Sequence, residues 1–462
     1  MFGRRRHVQP NEQRRRHCRA VIATARARRP AAAGTRALAA AGTVLLAAAL
    51  AVAGRVPVSA DPVDEFYVPP AQFDTSVGAV VRTADMPVYL AQPAAGGGWP
   101  VAAKRVMYTT RTQDGAPVAA TGVYIDSELP WHGTGPRPTI VIAPGTTGQG
   151  DQCAMSLAFS TGIYARITPP TFSANQEALA ALAWNALGAR VFVPDYIGMG
   201  TPGVHTYVNR IEEAHAVLDA ARAANTLSGT GTGTPLAFWG YSQGGGATAA
   251  AAEMQPDYAP ELNLKGAWAG APTADLAAIL EHVDGVLIGG VIGFAVNGLV
   301  ARYPDLQPQI DARLTPAGRG LLRDLSDECI GDVILRQPFL HTADYSVDHR
   351  PMFAHLQEIP EAEQILARLR IGSLTPAVPV LITSGINDDT VPYAQARQLA
   401  TDWCGHGATV TFRSNELPPI LPGTTLPGHF GPELIDGFGP DSAIGYLVDR
   451  LNGAPISGCT FD

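Results

Sequence analysis

Pro235-Leu236-Ala237-Phe238-Trp239-Gly240-Tyr241-Ser242-Gln243-Gly244 is the stretch on which the fold turns. Pro235 to Trp239 reads as a buried strand, and the Ala-rich run from Gly246 to Met254 reads as a helix. Between them a serine stands on a tight strand-to-helix turn. Glycines two residues before it and two after remove Cβ atoms that the crowded backbone would strike. The turn pushes Ser242 into the cleft at the strand's carboxyl end, where N–H groups of the following helix face developing negative charge. The Gly-x-Ser-x-Gly spacing recurs by chance in a chain with 49 glycines. Its position between a strand and a helix is what gives it meaning.

Outward from that point, short apolar runs alternate with helical patterns. Thr139 to Ala143 and Arg190 to Val193 read as buried strands, as do Lys265 to Ala269, Pro379 to Thr383 and Ala408 to Phe412. Gln176 to Leu187 (closed by Gly188), Ile211 to Ala224 and Pro392 to Trp403 read as helices. Continuous apolar strands separated by helices predict an α/β fold with a mostly parallel sheet covered on both faces. Before it, Val106 to Thr112 and Ala119 to Ile125 flank Gln113-Asp114-Gly115, a hairpin signal. Residues 61–100, Pro- and Gly-punctuated, read as an N-terminal arm lying on the body. From Pro272 to Thr375 the strand rhythm stops, a gap far longer than a normal connection. The division expected is a leader (1–60), a core in two parts (61–272 and 377–462) and an inserted helical cap (273–376). The low-charge stretch Leu276 to Val300 would present apolar surface over a site.

A serine nucleophile needs a base, and the base needs an orienting carboxylate. In this topology the chain order is serine, acid, histidine, with the acid after a late strand. Asn387-Asp388-Asp389-Thr390-Val391-Pro392 follows such a strand. Asp388 has the better spacing to the Val-Pro step, with Asp389 next. Only His406 and His429 lie beyond. His406 precedes the strand taken as last and falls at its wrong end. His429 follows the Pro-rich loop Leu417 to Gly428, which can carry a base to the carboxyl edge. The other histidines, His205 and His341 included, read as bonding surface or cap residues. An oxyanion hole would take one N–H from Gln243 and one from Thr146 or Thr147 in the loop Pro144 to Gly148.

Charge and cysteine use restrict the remaining choices. Of the chain's formal −8, residues 1–60 contribute +11, so residues 61–462 carry −19. A body that acidic repels a phosphate backbone, which argues against nucleic acid as a partner. Arg4 to Arg36, the uncharged run Ala37 to Gly54 and the small residues of Val58-Ser59-Ala60 follow the order of a cleavable secretory signal, cut after about Ala60. Cys18 would leave with it. The four that remain, Cys153, Cys329, Cys404 and Cys459, suggest two disulfides; three pairings are open, and the nearest-neighbour one is 153–329 with 404–459. No Cys-x-x-Cys occurs, and no metal or cofactor is implied.

Several boxes together resemble the secretory lipases (lipase A-like) among the α/β-hydrolases. They are Asp195-Tyr196-Ile197-Gly198-Met199-Gly200-Thr201, Gly240 to Gly245, the Asp388 box and Cys153-Ala154-Met155-Ser156. The resemblance runs from about residue 63 to 460. It implies a capped α/β-hydrolase, with Ser242, Asp388 and His429 as the triad. It also implies lipid esters as substrates, contact with a lipid–water interface, and the 153–329 and 404–459 pairing. Two departures stand out. Met155 replaces a proline common in the family, and Gly145 to Gly150 lacks the acidic residue that the yeast type uses in its oxyanion hole. Two other functions remain open on the same residues: a serine peptidase, and a non-catalytic envelope protein that binds lipid under the cap.

Overall fold

The computed structural model describes residues 64–91 and 99–462. The leader with its expected cleavage point, and Ala94-Ala95-Gly96-Gly97-Gly98 of the arm, lie outside the described residues. The strands are β1 (Val80–Val88), β2 (Val101–Arg111), β3 (Pro117–Ile125), β4 (Thr139–Ala143), β5 (Ile163–Ile167) and β6 (Pro170–Ala174). They continue with β7 (Arg190–Pro194), β8 (Leu236–Tyr241), β9 (Leu264–Gly270), β10 (Val380–Gly385), β11 (Val410–Asn415) and β12 (Cys459–Phe461). Ten of them form one sheet in the order β1-β2-β3-β7-β4-β8-β9-β10-β11-β12, while β5 and β6 make a separate hairpin. The antiparallel β1–β2–β3 meander joins β7 antiparallel, and every pairing from β7 to β12 is parallel. This is the α/β-hydrolase arrangement expected.

Period-two alternation divides each parallel strand between two apolar layers. In β8, Leu236 and Phe238 face one layer, and Ala237, Trp239 and Tyr241 face the other. The first layer is closed by helices Arg210–Ser228, Gln243–Tyr258 and Tyr393–Gly405, and the second by Ala178–Ala186 and Ala443–Leu451. Large aromatics fill the second, with Trp239 and Trp268 ring centroids 4.2 Å apart. Helix Arg210–Ser228 begins where the Asn209 side chain accepts from the Ile211 and Glu212 N–H groups, and ends at Gly229, whose φ is 65°.

Between β9 and β10 lies a block of helices running from Leu276–His282 to Pro360–Leu369. The stretch 276–300 forms two helices, Leu276–His282 and Val291–Arg302, and their apolar faces centre a third cluster made of this block's side chains together with Tyr207 and Val208 of the core. Most of that stretch is therefore the block's own core, and only Leu287 and Ile288 reach the cavity described below. Disulfides Cys153–Cys329 and Cys404–Cys459 are present, with Cα atoms 5.3 Å and 6.0 Å apart. The first staples the block to the core. Each closes a long loop, worth roughly 4–5 kcal/mol in the chain-entropy account.

Two expectations need correction. The N-terminal arm is not only draped on the body, because Val80–Val88 pairs with β2 as a full edge strand. The run ending at Phe412 is not the last strand either. Cys459–Phe461 adds parallel to β11, and the disulfide from Cys404 holds it there.

Candidate active site

Ser242 has φ 59° and ψ −123°, and it is the residue from which helix Gln243–Tyr258 begins. A side chain tolerates that left-handed backbone only when its surroundings hold it there. Here the Ser242 N–H donates to the Gly270 carbonyl at 2.9 Å, and the Ser242 carbonyl accepts from the Gly246 N–H at 3.0 Å. The flanking glycines are obligatory on steric grounds. A Cβ on Gly240 would lie 2.0 Å from the Gly244 carbonyl oxygen, and one on Gly244 would lie 2.0 Å from that of Ala143.

Asp388 sits just beyond the carboxyl end of β10, three residues past Gly385. Its Oδ1 accepts from the Thr390 and Val391 N–H groups, both at 2.9 Å, which fixes the carboxylate plane. Its Oδ2 is 2.7 Å from His429 Nδ1. Both side chains are enclosed, His429 at 1% exposure and Asp388 at 6%. The imidazole lies beside the serine turn, its ring centroid 5.0 Å from that of Tyr241, whose hydroxyl donates to the His429 carbonyl at 2.8 Å. Among the described residues, the buried His429 Nε2 has no hydrogen-bond partner. Ser242 and His429 border one cavity of about 220 Å3 beneath the helical block.

The loop that carries His429 is anchored by the other acid of the pair. Asp389 Oδ2 accepts from the Thr425 N–H at 3.2 Å, and the Thr425 carbonyl accepts from the His429 N–H at 2.8 Å. Gly145 and Thr146 also border the cavity. Thr146 Oγ1 is 2.8 Å from the Tyr207 hydroxyl. Thr147 is not part of that lining; it is buried, and its carbonyl accepts from the Ile330 N–H at 2.8 Å. His406 ends helix Tyr393–Gly405 ahead of β11 and takes no part.

His205, read from the sequence as bonding surface or cap residues, is buried behind the serine turn. Gln243 Nε2 donates to Glu213 Oε1 at 2.7 Å and meets His205 Nε2 at 3.0 Å. His205 Nδ1 reaches the Ile197 carbonyl at 3.2 Å. Burial pulls His205 down to about 4 and pushes Glu213 up to about 8, so both are neutral at pH 7. A neutral His205 with its proton on Nδ1 satisfies every contact in this chain. The network pins the side chain of the residue whose own N–H stands at the helix start. No sequence spacing relates His205, Glu213 and Gln243, and the contact exists only in three dimensions.

A model of the secretory lipase family matches residues 165–458. This chain belongs to the secretory lipase family. Among its relatives, the probable inactive lipase MT1628 of Mycobacterium tuberculosis is 31% identical over 85% of this chain and 83% of that protein. The secreted triacylglycerol lipase LIP1 of Malassezia furfur is 31% identical over 54% of this chain and 50% of that protein. In fold, the closed state of Candida antarctica lipase A superimposes with a TM-score of 0.69 at 24% identity, covering 86% of this chain and 89% of that one. The rice cell wall degrading esterase LipA of Xanthomonas oryzae gives 0.61 at 20% identity, covering 78% and 96%.

Two of the secretory lipase boxes quoted from the sequence hold each other. Asp195 Oδ1 accepts from the Ser156 N–H at 2.8 Å, and Oδ2 accepts from the hydroxyls of Ser156 at 2.5 Å and Thr121 at 2.7 Å. Burial against these bonds leaves Asp195 raised to about 6. Met155, where the family often has proline, opens the short helix Met155–Ala158 and packs into the second apolar layer. The cavity also holds two acids. Burial pushes Glu177 up to about 7 and Glu433 to about 8, the Glu177 charge adding to the second.

Proposed function

We propose that this secretory lipase hydrolyses carboxylic esters of lipids through an acyl-enzyme on Ser242. His429 Nε2 takes the serine proton as Oγ attacks the carbonyl and returns it to the leaving alcohol. Asp388 keeps Nδ1 protonated and steadies the imidazolium. The Gln243 N–H and a donor from the Gly145–Thr146 turn would receive the oxyanion, each worth roughly 2.7–4 kcal/mol in the transition state. The observation that carries the reading is the bond of 2.7 Å between His429 and Asp388, with the free Nε2 beside a cavity that Ser242 shares. Apolar side chains such as Phe172, Ile288 and Ile334 give that cavity room for an acyl chain. Export is part of the proposal, supported by the Arg-rich leader, the two disulfides and relatives named as secreted.

One relative is named a probable inactive lipase, which favours a second reading: a lipid binder without turnover. Incubation with p-nitrophenyl esters and an emulsified triglyceride decides between them. We expect release of fatty acid, labelling of Ser242 by an organophosphonate, and loss of turnover in Ser242→Ala. Lipid extraction without fatty acid release, or unchanged turnover in Ser242→Ala, refutes the proposal.

A further inference from the structure

The proposed mechanism leaves two cavity acids without a task. Glu177 precedes helix Ala178–Ala186, is 3% exposed, and accepts the Gly145 N–H at 2.9 Å. Glu433 comes from helix Phe430–Phe438, one turn beyond His429, and lines the same cavity. Among the described residues, no protein group bonds to the Glu433 carboxyl; burial and the Glu177 charge are what act on it. Leu426 and Phe430, from the segment that carries His429, line the cavity with them. Polar groups placed in such surroundings cost free energy until they gain hydrogen-bond partners. Glu177 already holds the Gly145 N–H, whereas Glu433 is part-exposed to the cavity, so a ligand that displaces water there has to supply its partner.

His429 suggests a direction. Its Nε2 hands a proton to the leaving oxygen in the proposed mechanism, and Glu433 lines the same cavity one turn further along the chain, which makes it the candidate to meet the alcohol half of the ester. We infer that Glu433, backed by Glu177, is a specificity residue that receives a free hydroxyl of the alcohol moiety, so that the preferred substrates are partial esters of polyols such as monoacylglycerols. This rests on the ester-hydrolase reading above. A carboxyl pair that holds a proton at neutral pH both donates and accepts, and so does a hydroxyl. A fully esterified glycerol or the ester of a simple alkyl alcohol offers no donor, and either one displaces water from the carboxyls without replacing its bonds.

The test compares 1-monoacylglycerol with the propyl ester of the same acid, which lacks both free hydroxyls, on the full chain. We expect kcat/KM to favour the monoacylglycerol about ten-fold, the size of one hydrogen bond to an ionisable group. Glu433→Leu should bring that ratio close to one, and Glu433→Gln should keep part of it. Binding of a 1-O-alkylglycerol against an alkyl propyl ether, neither hydrolysable, gives the same comparison without turnover. A wild-type preference of one in binding, or a preference that survives Glu433→Leu, overturns the inference. A hydroxyl preference in ether binding with no ester cleaved keeps the subsite and sinks the hydrolase reading instead. A 3-hydroxyacyl propyl ester, favoured in place of the monoacylglycerol, also overturns it, since the hydroxyl would then belong to the acyl half.

Discussion

A left-handed serine is held in place by neighbours without side chains, and that is where single substitutions act most sharply. With a Cβ on Gly244 only 2.0 Å from the Ala143 carbonyl oxygen, Gly244→Ala must displace β4 or the turn. It should cost about 1–3 kcal/mol in a denaturant titration, the usual range for overpacking. Asp388→Asn keeps the shape but stops the side chain from accepting the Nδ1 proton, so kcat on a soluble ester should fall about 10⁴-fold with KM little changed. The Asp388–His429 contact and the cavity it shares with Ser242 were legible because the order of residues along this topology restricts the choice to a few positions. Thr146 against Thr147 was not. Adjacent residues of a loop point to different places; Thr146 borders the cavity, while the Thr147 carbonyl accepts from the Ile330 N–H. His205 was missed for the same reason, since nothing nearby in sequence marks it as the partner of Gln243.

Among the elements, the loop Leu417 to Gly428 bears most on the proposed mechanism. It delivers His429, and its attachment to the sheet side runs through Asp389 and Thr425. Asp389→Ala removes that anchor without touching the Asp388–His429 bond. We expect kcat to fall about ten-fold while circular dichroism stays that of the parent, because a misplaced base weakens proton transfer more than it weakens binding. The central strands and their helices were readable because burial on both faces writes continuous apolar runs. Edge strands lack that mark. In β1 the charged Arg82 and Asp85 interrupt the run, and β12 is three residues long, held by its disulfide and by pairing with β11. The helical block was visible only as a break in rhythm. The assignment of Leu276 to Val300 to a cavity-facing surface overlooked that a block this size needs a core of its own.

At the scale of the whole molecule, buried carboxyls set the response to pH. Glu177, Glu213 and Glu433 are raised from 4.5 to about 7, 8 and 8. Between those limits the folded chain binds more protons than the unfolded one, so stability falls as pH rises through the window and levels off above it. His205, lowered from 6.5 to about 4, works the other way below 6.5. The decline in Tm should therefore be clearest from about pH 6.5 to 8; a Tm that climbs over that interval would contradict these assignments. Outside the cavity, Ile420 and Leu421 stand 50% and 68% exposed in the loop before His429. Exchanging both for aspartate should depress hydrolysis of an emulsion several-fold more than hydrolysis of a soluble ester.

The staple between block and core has one more effect. Beside Cys329, the Gln149 N–H donates to the Glu328 carbonyl at 3.0 Å and the Ile330 N–H donates to the Thr147 carbonyl at 2.8 Å. A strip of the roof is thus spliced edge to edge onto the very segment that would cradle an oxyanion. Tilting the roof to admit a guest must tug that segment with it, gearing admission to chemical readiness. Severing the splice by exchanging Cys153 and Cys329 for alanine should let the two drift apart, seen as tighter uptake of bulky esters with slower turnover of each.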